Sequence, residues 1–272
     1  MEARNLEQLT RVYSPAMWTI YADLNRSLDP LGPQSLLELA IRIIRSGEFI
    51  LDAGCRDATH LVELLQATTG TTGVGVEPVP GHVEEARRVV AEAGLSDRAV
   101  VVQASLHQLP MPDRQVDFVW CQDVLEQVDP LEPALAEVAR VLRPGGCAVV
   151  FTTVATELVS EQDEALLRSH MGNVYGNLDR SRLETAFTEA GLLIEQVDEI
   201  GTQWREYAEE RTGPVSRKLL QLARLRRRWD ELVSVHGRSA VKHVEANLHW
   251  EVFQFLGKLL PIVYTLGKPT TP

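Results

Sequence analysis

From residue 48 onward, short apolar runs alternate with stretches of helical periodicity. The runs EFILDA (48–53), GVGVE (73–77), AVVVQA (99–104), VDFVWC (116–121), CAVVFTT (147–153) and LLIEQVDEI (192–200) are predicted strands. Helical patterns fall between them near 58–67, 81–94, 132–142, 162–170 and 180–190. Strands that are almost continuously apolar are buried on both faces, so the pattern predicts a mostly parallel sheet covered by helices on both sides. The final run, PIVYTLGKP (261–269), supplies a seventh strand. The expected fold class is thus α/β, a Rossmann-like seven-stranded, mostly parallel sheet.

Two regions depart from that rhythm. In the first 46 residues Leu36, Leu37, Leu39, Ala40, Ile43 and Ile44 recur at helical spacing, and Asp29-Pro30-Leu31-Gly32-Pro33 breaks the chain before them. Residues 203–259 read as helical throughout, with Thr212-Gly213-Pro214 marking the start of the long middle helix. The expected organisation is an N-terminal helical cap (1–46), a sheet core (47–200), a helical insertion or lid (201–259), and the last strand with its tail (260–272).

Composition narrows the function. The chain has 272 residues, 44% of them hydrophobic, enough for one main core with an accessory element. Its 27 basic and 38 acidic residues leave a net charge of −11 and a pI near 5.2, which argues against a nucleic-acid partner. Three cysteines, Cys55, Cys121 and Cys147, without CxxC spacing argue against a disulfide framework or structural zinc, so no metal is expected. No secretory h-region and no membrane-spanning run is visible, and the expected location is cytoplasmic.

The chemistry concentrates in FILDAGCRDATHL (49–61). A buried strand ends at Asp52, turns through Ala53-Gly54-Cys55, and enters a helix for which Asp57 is the expected cap. Such a loop brings backbone N–H groups to the carboxyl end of a sheet, and Gly54 admits close approach of a ligand. Glu77, ending the next strand, has the position of an acidic residue that accepts both hydroxyls of a ribose. A ligand-free capping turn explains the loop alone, and dinucleotide-dependent oxidoreductases share the combination.

The remaining segments separate these readings. LDAGC (51–55), GVGVEPVPGHVEEAR (73–87), SLHQLPMPDRQVDFVWCQDVLEQVDP (105–130) and VARVLRPGGCAVVF (138–151) follow one another in the order and spacing of a known family. The chain resembles the class I S-adenosylmethionine-dependent methyltransferases of the small-molecule, UbiE/Coq5-like type, strongly over 45–155 and loosely over 180–200. The resemblance implies S-adenosyl-L-methionine as cofactor and a small, partly apolar metabolite as methyl acceptor, a chemistry typical of secondary metabolism. It places Ala53, Gly54 and Cys55 against the amino-acid part of the cofactor, with Asp52 orienting the loop or reaching the methionine ammonium. It gives Glu77 to the ribose, Pro78 to the flank of the adenine, Ser105 and Leu106 to the adenine edge, and Cys121 and Gln122 to the methionine side.

Three departures stand against the family pattern. Arg56 and Ala58 occupy glycine positions, so the turn is expected to differ or the Arg56 side chain to point away. Ser105 replaces an acidic residue, and Gln127 replaces the histidine of the usual LEH. The alternative reading is a protein that keeps the cofactor site but catalyses a non-methylating reaction or only binds ligand.

The base remains open among His60, His107, His170 and Gln127. Acceptor contacts are expected from Tyr13, Trp18 and Tyr21 near the N-terminus, from His170 beyond the fifth strand, and from Trp204. Trp204, Tyr207, Trp229, Trp250, Phe253 and Phe255 suit a lid over an apolar pocket, while aromatics at helical spacing equally suit plain packing. Residues 201–260 hold 11 Lys/Arg and 7 Asp/Glu, a local +4. Arg217, Lys218, Arg224, Arg226, Arg227 and Arg228 then read as an anion grip, a solvated face or a membrane-surface helix. An exposed apolar N-terminal helix is compatible with a homo-oligomer.

Overall fold

The structure, a computed structural model, describes residues 3–270. Seven strands form one sheet in the order β3-β2-β1-β4-β5-β7-β6: β1 (Phe49–Ala53), β2 (Thr72–Glu77), β3 (Ala99–Gln103), β4 (Val116–Gln122), β5 (Leu142–Ala155), β6 (Leu193–Glu199) and β7 (Leu259–Gly267). The first five pair in parallel; β7 runs antiparallel to both neighbours, β5 and β6. The predicted Rossmann-like fold is therefore present, and the chain reverses direction in sheet order beside β1, where β4 adds on the side opposite β2. Open sheets of this kind place their ligands in that crevice, outside the strand carboxyl ends.

Alternation along the strands divides the core into two layers. Ile50, Phe118, Trp120, Val149 and Phe151 face α3 (Gln34–Ile43), α4 (Thr59–Ala67) and α5 (Pro80–Glu92). Leu51, Val119, Cys121, Ala148 and Val150 face α6 (Leu131–Val141) and α8 (Arg180–Glu189). The Arg143–Gly146 turn does more than connect α6 to a strand. It is a bulge inside β5, whose pairing with β4 jumps from Leu142↔Val116 to Cys147↔Phe118. A Cβ on Gly146 would lie 2.9 Å from the Arg143 carbonyl oxygen and 3.0 Å from that of Asp117, so only glycine fits where the strand folds back on itself.

The region expected to be helical before the last strand is four helices: α9 (Gln203–Thr212), α10 (Pro214–Arg227), α11 (Trp229–His236) and α12 (Arg238–Phe255). Gly213 (φ 61°) and Gly237 (φ 83°) provide two of the breaks. These helices have their own small core of Val215, Leu222, Leu225, Val241, Leu248 and Val252. Upstream of them, α7 (Glu161–His170) starts with a capping box between Ser160 and Asp163 and packs on α12.

At the N-terminus, α1 (Ala3–Val12) exposes Leu6, Leu9 and Val12, and α2 (Pro15–Leu24) exposes Trp18, Ile20, Tyr21 and Leu24 and has no buried residue. The following linker is tied to α9, where the Ser27 hydroxyl donates to Glu210 (2.8 Å) and the Leu31 N–H to Gln203 (3.3 Å). Cys55, Cys121 and Cys147 are free thiols. Among the described residues no helix is long and apolar enough to cross a membrane.

Candidate functional site

The loop after β1 is built as the sequence suggests, with one difference in its backbone. Gly54 has φ 82°, and a Cβ there would lie 2.5 Å from Val124 Cγ2. The Gly54 and Cys55 N–H groups both donate to the Val76 carbonyl (2.9 and 3.0 Å), which seats the loop on the end of β2. Arg56 and Ala58 also lie in the left-handed region, with φ of 48° and 60°. The turn thus keeps the conformation of the glycine-rich loop although neither residue is glycine, and the Arg56 side chain is exposed. Of the two expected accommodations, a different turn or an outward side chain, the structure shows the second. The cost is local strain of about 1–2 kcal/mol per residue. Arg56→Gly is accordingly expected to raise stability by up to about 1 kcal/mol in urea unfolding, because no packed side chain is lost. The helix that follows is not capped by Asp57 as expected: its N-cap is Ala58, without a side-chain cap, because the left-handed turn carries the chain one residue further. Asp57 accepts the Thr59 N–H (3.1 Å) from the position before it.

Glu77 is buried behind this loop. Its Oε2 accepts the Arg56 N–H (3.1 Å), while Oε1 accepts the Val79 N–H (2.9 Å) and meets His82 Nδ1 (3.3 Å). A carboxylate has about four lone-pair sites, so three are engaged. Two ribose hydroxyls fit if the long contact to His82, an exposed side chain, gives way. The carboxylate chemistry of Glu77 therefore suits a ribose-containing ligand, while the glycine at position 54 is required by the Val124 side chain packed against it.

Asp52 is buried at the end of β1. Burial pushes its carboxyl up to about 7, helped by the nearby charges of Asp57 and Glu77 and opposed by the Leu61 backbone N–H. A folded-state pKa above the unfolded one gives stability that is complete below the unfolded pKa and disappears as pH rises through the folded one. Between about pH 4 and 7 the wild-type chain is therefore expected to lose stability, by up to about 4 kcal/mol from this group alone. Asp52→Asn keeps the acceptor for Leu61 and is expected to flatten that slope in urea melts recorded across the range.

Pro78 follows Glu77 at the same edge. Ser105 is exposed in the loop after β3, bonded to His107 (2.9 Å), and Leu106 is buried beneath it. His107 Nε2 reaches the Pro130 carbonyl (2.8 Å), so both its ring nitrogens are engaged. Cys121 is buried on β4; Gln122 ends that strand, half-buried. The residues assigned to a cofactor thus share the carboxyl edge of β1–β4. His60 stands edge-on to Trp120 (5.6 Å between ring centres), and burial holds its pKa below the ordinary value.

The acceptor candidates do not gather there. Tyr13, Trp18 and Tyr21 are more than half exposed. His170 lines a cleft of about 570 Å³ with His236 and His243, between α7 and α12. Trp204 stacks on Phe151 at the end of β5 (4.6 Å), its indole N–H buried without a partner among the described residues. Trp229 and Phe255 pack into the core of the insertion, and Trp250 and Phe253 pack with α7. Tyr207 covers Gly32 and carries Arg211 over its ring (3.6 Å). Most of the aromatics expected in a lid are therefore spent on packing. In the basic run Arg217, Arg224, Arg226, Arg227 and Arg228 are exposed, while Lys218 pairs with Glu251 (3.1 Å).

A second polar group at the same edge is absent from the candidates that the sequence suggests. Glu126, in the 3-10 turn Leu125–Gln127, is buried, and its Oε1 accepts the Thr152 hydroxyl (2.9 Å) and the Thr153 N–H (2.7 Å). Two sequence signals mark it: a carboxylate inside the apolar run VLEQV, and its match to the Glu of the LEH pattern, which the chain keeps while the histidine after it becomes Gln127. Asp123, exposed beside it, lies at φ 53°.

Comparison with known proteins agrees with this geometry. Residues 51–150 match the sequence profile of a methyltransferase domain. The 27-O-demethylrifamycin SV methyltransferase of Amycolatopsis mediterranei is 27% identical over 177 residues, covering 62% of this chain and 64% of that protein. Among solved structures, the cyclase SpnF superposes with a TM-score of 0.67 at 20% identity, covering 90% of this chain and 85% of that one. Geranyl diphosphate C-methyltransferase from Streptomyces coelicolor A3(2), solved with Mg2+, geranyl diphosphate and S-adenosyl-L-homocysteine, gives 0.64 at 14% identity, with coverages of 86% and 79%. These structures share the fold. The matches to the first three curated relatives span 64%, 25% and 34% of their lengths, under two thirds in each case.

Proposed function

We propose that the chain is an S-adenosylmethionine-dependent methyltransferase of the small-molecule, UbiE/Coq5-like type, acting on a partly apolar organic metabolite. The observation that carries this reading is Glu77, buried at the end of β2 and hydrogen-bonded to the glycine loop of a segment that matches a methyltransferase domain. Glu77 holds the ribose hydroxyls, with Pro78, Ser105 and Leu106 around the adenine. Ala53, Gly54 and Cys55 support the amino-acid end, Asp52 orients the loop or meets the ammonium, and Cys121 and Gln122 border the methionine side.

When bound, the cofactor supplies an activated methyl group on a sulfonium. The protein's task is then to align the acceptor with that methyl and exclude water, chiefly a matter of proximity and orientation. Trp204, stacked on Phe151 of β5, is the aromatic that limits the acceptor. Tyr13, Trp18 and Tyr21 contribute only if α1 and α2 fold over the edge, and His170 only to an acceptor long enough to reach α7. A soluble small-molecule acceptor is the expected partner, with no nucleic acid.

The test is transfer of a labelled methyl group from S-adenosylmethionine to hydroxylated, amine and alkene metabolites. Labelled product with matching S-adenosylhomocysteine supports the reading. Tight binding of the donor without its consumption by any acceptor favours a ligand-binding or non-methylating role instead.

A further inference from the structure

Two buried oxygens around the Leu125–Gln127 turn lack a partner among the described residues, Asn177 Oδ1 and Glu126 Oε2, and only the second belongs to a group that can take up a proton. Glu126 is 3% exposed, and its Oε2 makes no hydrogen bond with any of them. A buried, unsatisfied carboxylate oxygen is uncommon and calls for an explanation. It is not a loosely held side chain. The Glu126 carbonyl accepts the Val174 N–H (2.7 Å), and the buried Asn177 amide donates to the carbonyls of Leu125 and Val128 (2.8 and 2.7 Å), clamping the turn from below. Thr152 and Thr153 fix Oε1 from β5, just past Phe151, the residue in register with Gln122.

The same carboxylate connects to the insertion. Thr153 Oγ1 is 3.4 Å from the Gln254 amide of α12, and Gln254 Oε1 accepts from Arg205 Nε of α9 (2.6 Å). Arg205 also faces Glu251 at 3.7 Å. Glu126 thus stands where the end of β4, on the methionine side, meets the helices that cover the sheet edge.

We infer that Glu126, through its free Oε2, is the catalytic base for a hydroxyl acceptor, with the exposed Asp123 beside it as the route by which the proton leaves. The inference rests on the methyltransferase reading above and extends it from a small molecule in general to an alcohol or phenol. As the acceptor oxygen forms its bond to the methyl carbon, the carbon–sulfur bond breaks and its electron pair stays on sulfur. The acceptor's proton passes to Glu126 and, on product release, by way of Asp123 to water. No oxidant or further reactant is needed.

The surroundings suit the task. Burial, then the charge of Asp123, raises the Glu126 carboxyl to about 7, against the restraint of its own backbone N–H and of its bonds to Thr152 and Thr153. A base is most effective when its pKa lies near the working pH. The groups that face it are Asp123 on its own loop, Cys121 on β4, Thr152 and Thr153 on β5, Gln254 on α12 and, beyond Gln254, Arg205 on α9. The Cys121 thiol, pushed far up by burial and by the Glu126 charge, stays protonated and is not a competitor.

The test compares the wild-type chain with Glu126→Gln and Asp123→Asn. S-adenosylmethionine is the donor; 27-O-demethylrifamycin SV, simple phenols and methyl glycosides are the hydroxyl acceptors, and dimethylglycine and geranyl diphosphate are the amine and alkene controls. Glu126→Gln keeps an oxygen for Thr152 and Thr153, and its fold is checked by its affinity for S-adenosylhomocysteine, expected within about threefold of wild type. The expected result is turnover of hydroxyl acceptors only, with kcat rising through an apparent pKa near 7. Glu126→Gln is expected to lower kcat about 100-fold or more and to abolish the rise, whereas a purely structural role would leave the pH profile in place. Asp123→Asn is expected to shift the apparent pKa downward. Turnover of amine or alkene acceptors, an unchanged pH profile in Glu126→Gln, or a chain that binds S-adenosylhomocysteine yet methylates no hydroxyl acceptor overturns the inference. Failure of the wild-type chain to bind S-adenosylhomocysteine at all overturns the methyltransferase reading itself, and the inference with it.

Discussion

Gly54→Ala is expected to destabilise the chain by about 2–5 kcal/mol and to weaken S-adenosylhomocysteine binding at least tenfold. Two independent effects add. The backbone at φ 82° disfavours any L side chain by about 1–2 kcal/mol, and the new Cβ falls 2.5 Å from Val124 Cγ2, an overpacked contact costing about 1–3 kcal/mol. Val124 leads from β4 into the Glu126 turn, so the clash spreads from the Gly54 loop into that turn. Urea unfolding and calorimetry measure the two losses. Combining Gly54→Ala with Val124→Ala relieves the contact and leaves the dihedral strain, so about half of the stability is expected to return. A double variant no better than the single one would show that the backbone alone is at fault.

Glu77→Ala is expected to weaken S-adenosylhomocysteine binding at least about 100-fold. Hydrogen bonds to a charged acceptor contribute about 1.5–3 kcal/mol each, and the two ribose hydroxyls lose theirs together. The substitution also strips the Arg56 and Val79 N–H groups of their partner. Part of the effect therefore reaches the ligand through a loosened loop. Glu77→Gln separates the contributions: it retains one oxygen for a backbone N–H, and its melting temperature is expected to lie between those of wild type and Glu77→Ala while its affinity stays low. Equal affinity in wild type and Glu77→Ala would remove Glu77 from the binding site.

The sheet could be read from the chain because parallel strands buried on both faces leave uninterrupted apolar runs, and because Gly54, Glu77 and the Gly145-Gly146 pair sit where backbone geometry demands them. All seven predicted strands are present, with β5 starting earlier, at Leu142, because the Gly-Gly segment is a bulge in the strand. Arg56 and Ala58 were harder. Propensity argues against positive φ at both, yet the pairing of the loop with Val76 and Glu77 imposes it, so tertiary contacts outweigh a local preference of about a kilocalorie. The acceptor side was least legible. Aromatic content marks the insertion, but only the packing shows that Trp229, Trp250, Phe253 and Phe255 are used to hold it together. Glu126 acquires its meaning from residues up to 128 positions away, Thr152, Thr153, Asn177 and Gln254, a relation that no local pattern encodes.

The most direct test of the account is calorimetric titration of the wild-type chain with S-adenosylhomocysteine, with NADH as the control nucleotide. The account expects saturable one-to-one binding in the micromolar range for the first and none for the second. No binding of S-adenosylhomocysteine, or tighter binding of NADH, would contradict it, because the loop of Gly54 and the carboxylate of Glu77 would then serve another ligand or none.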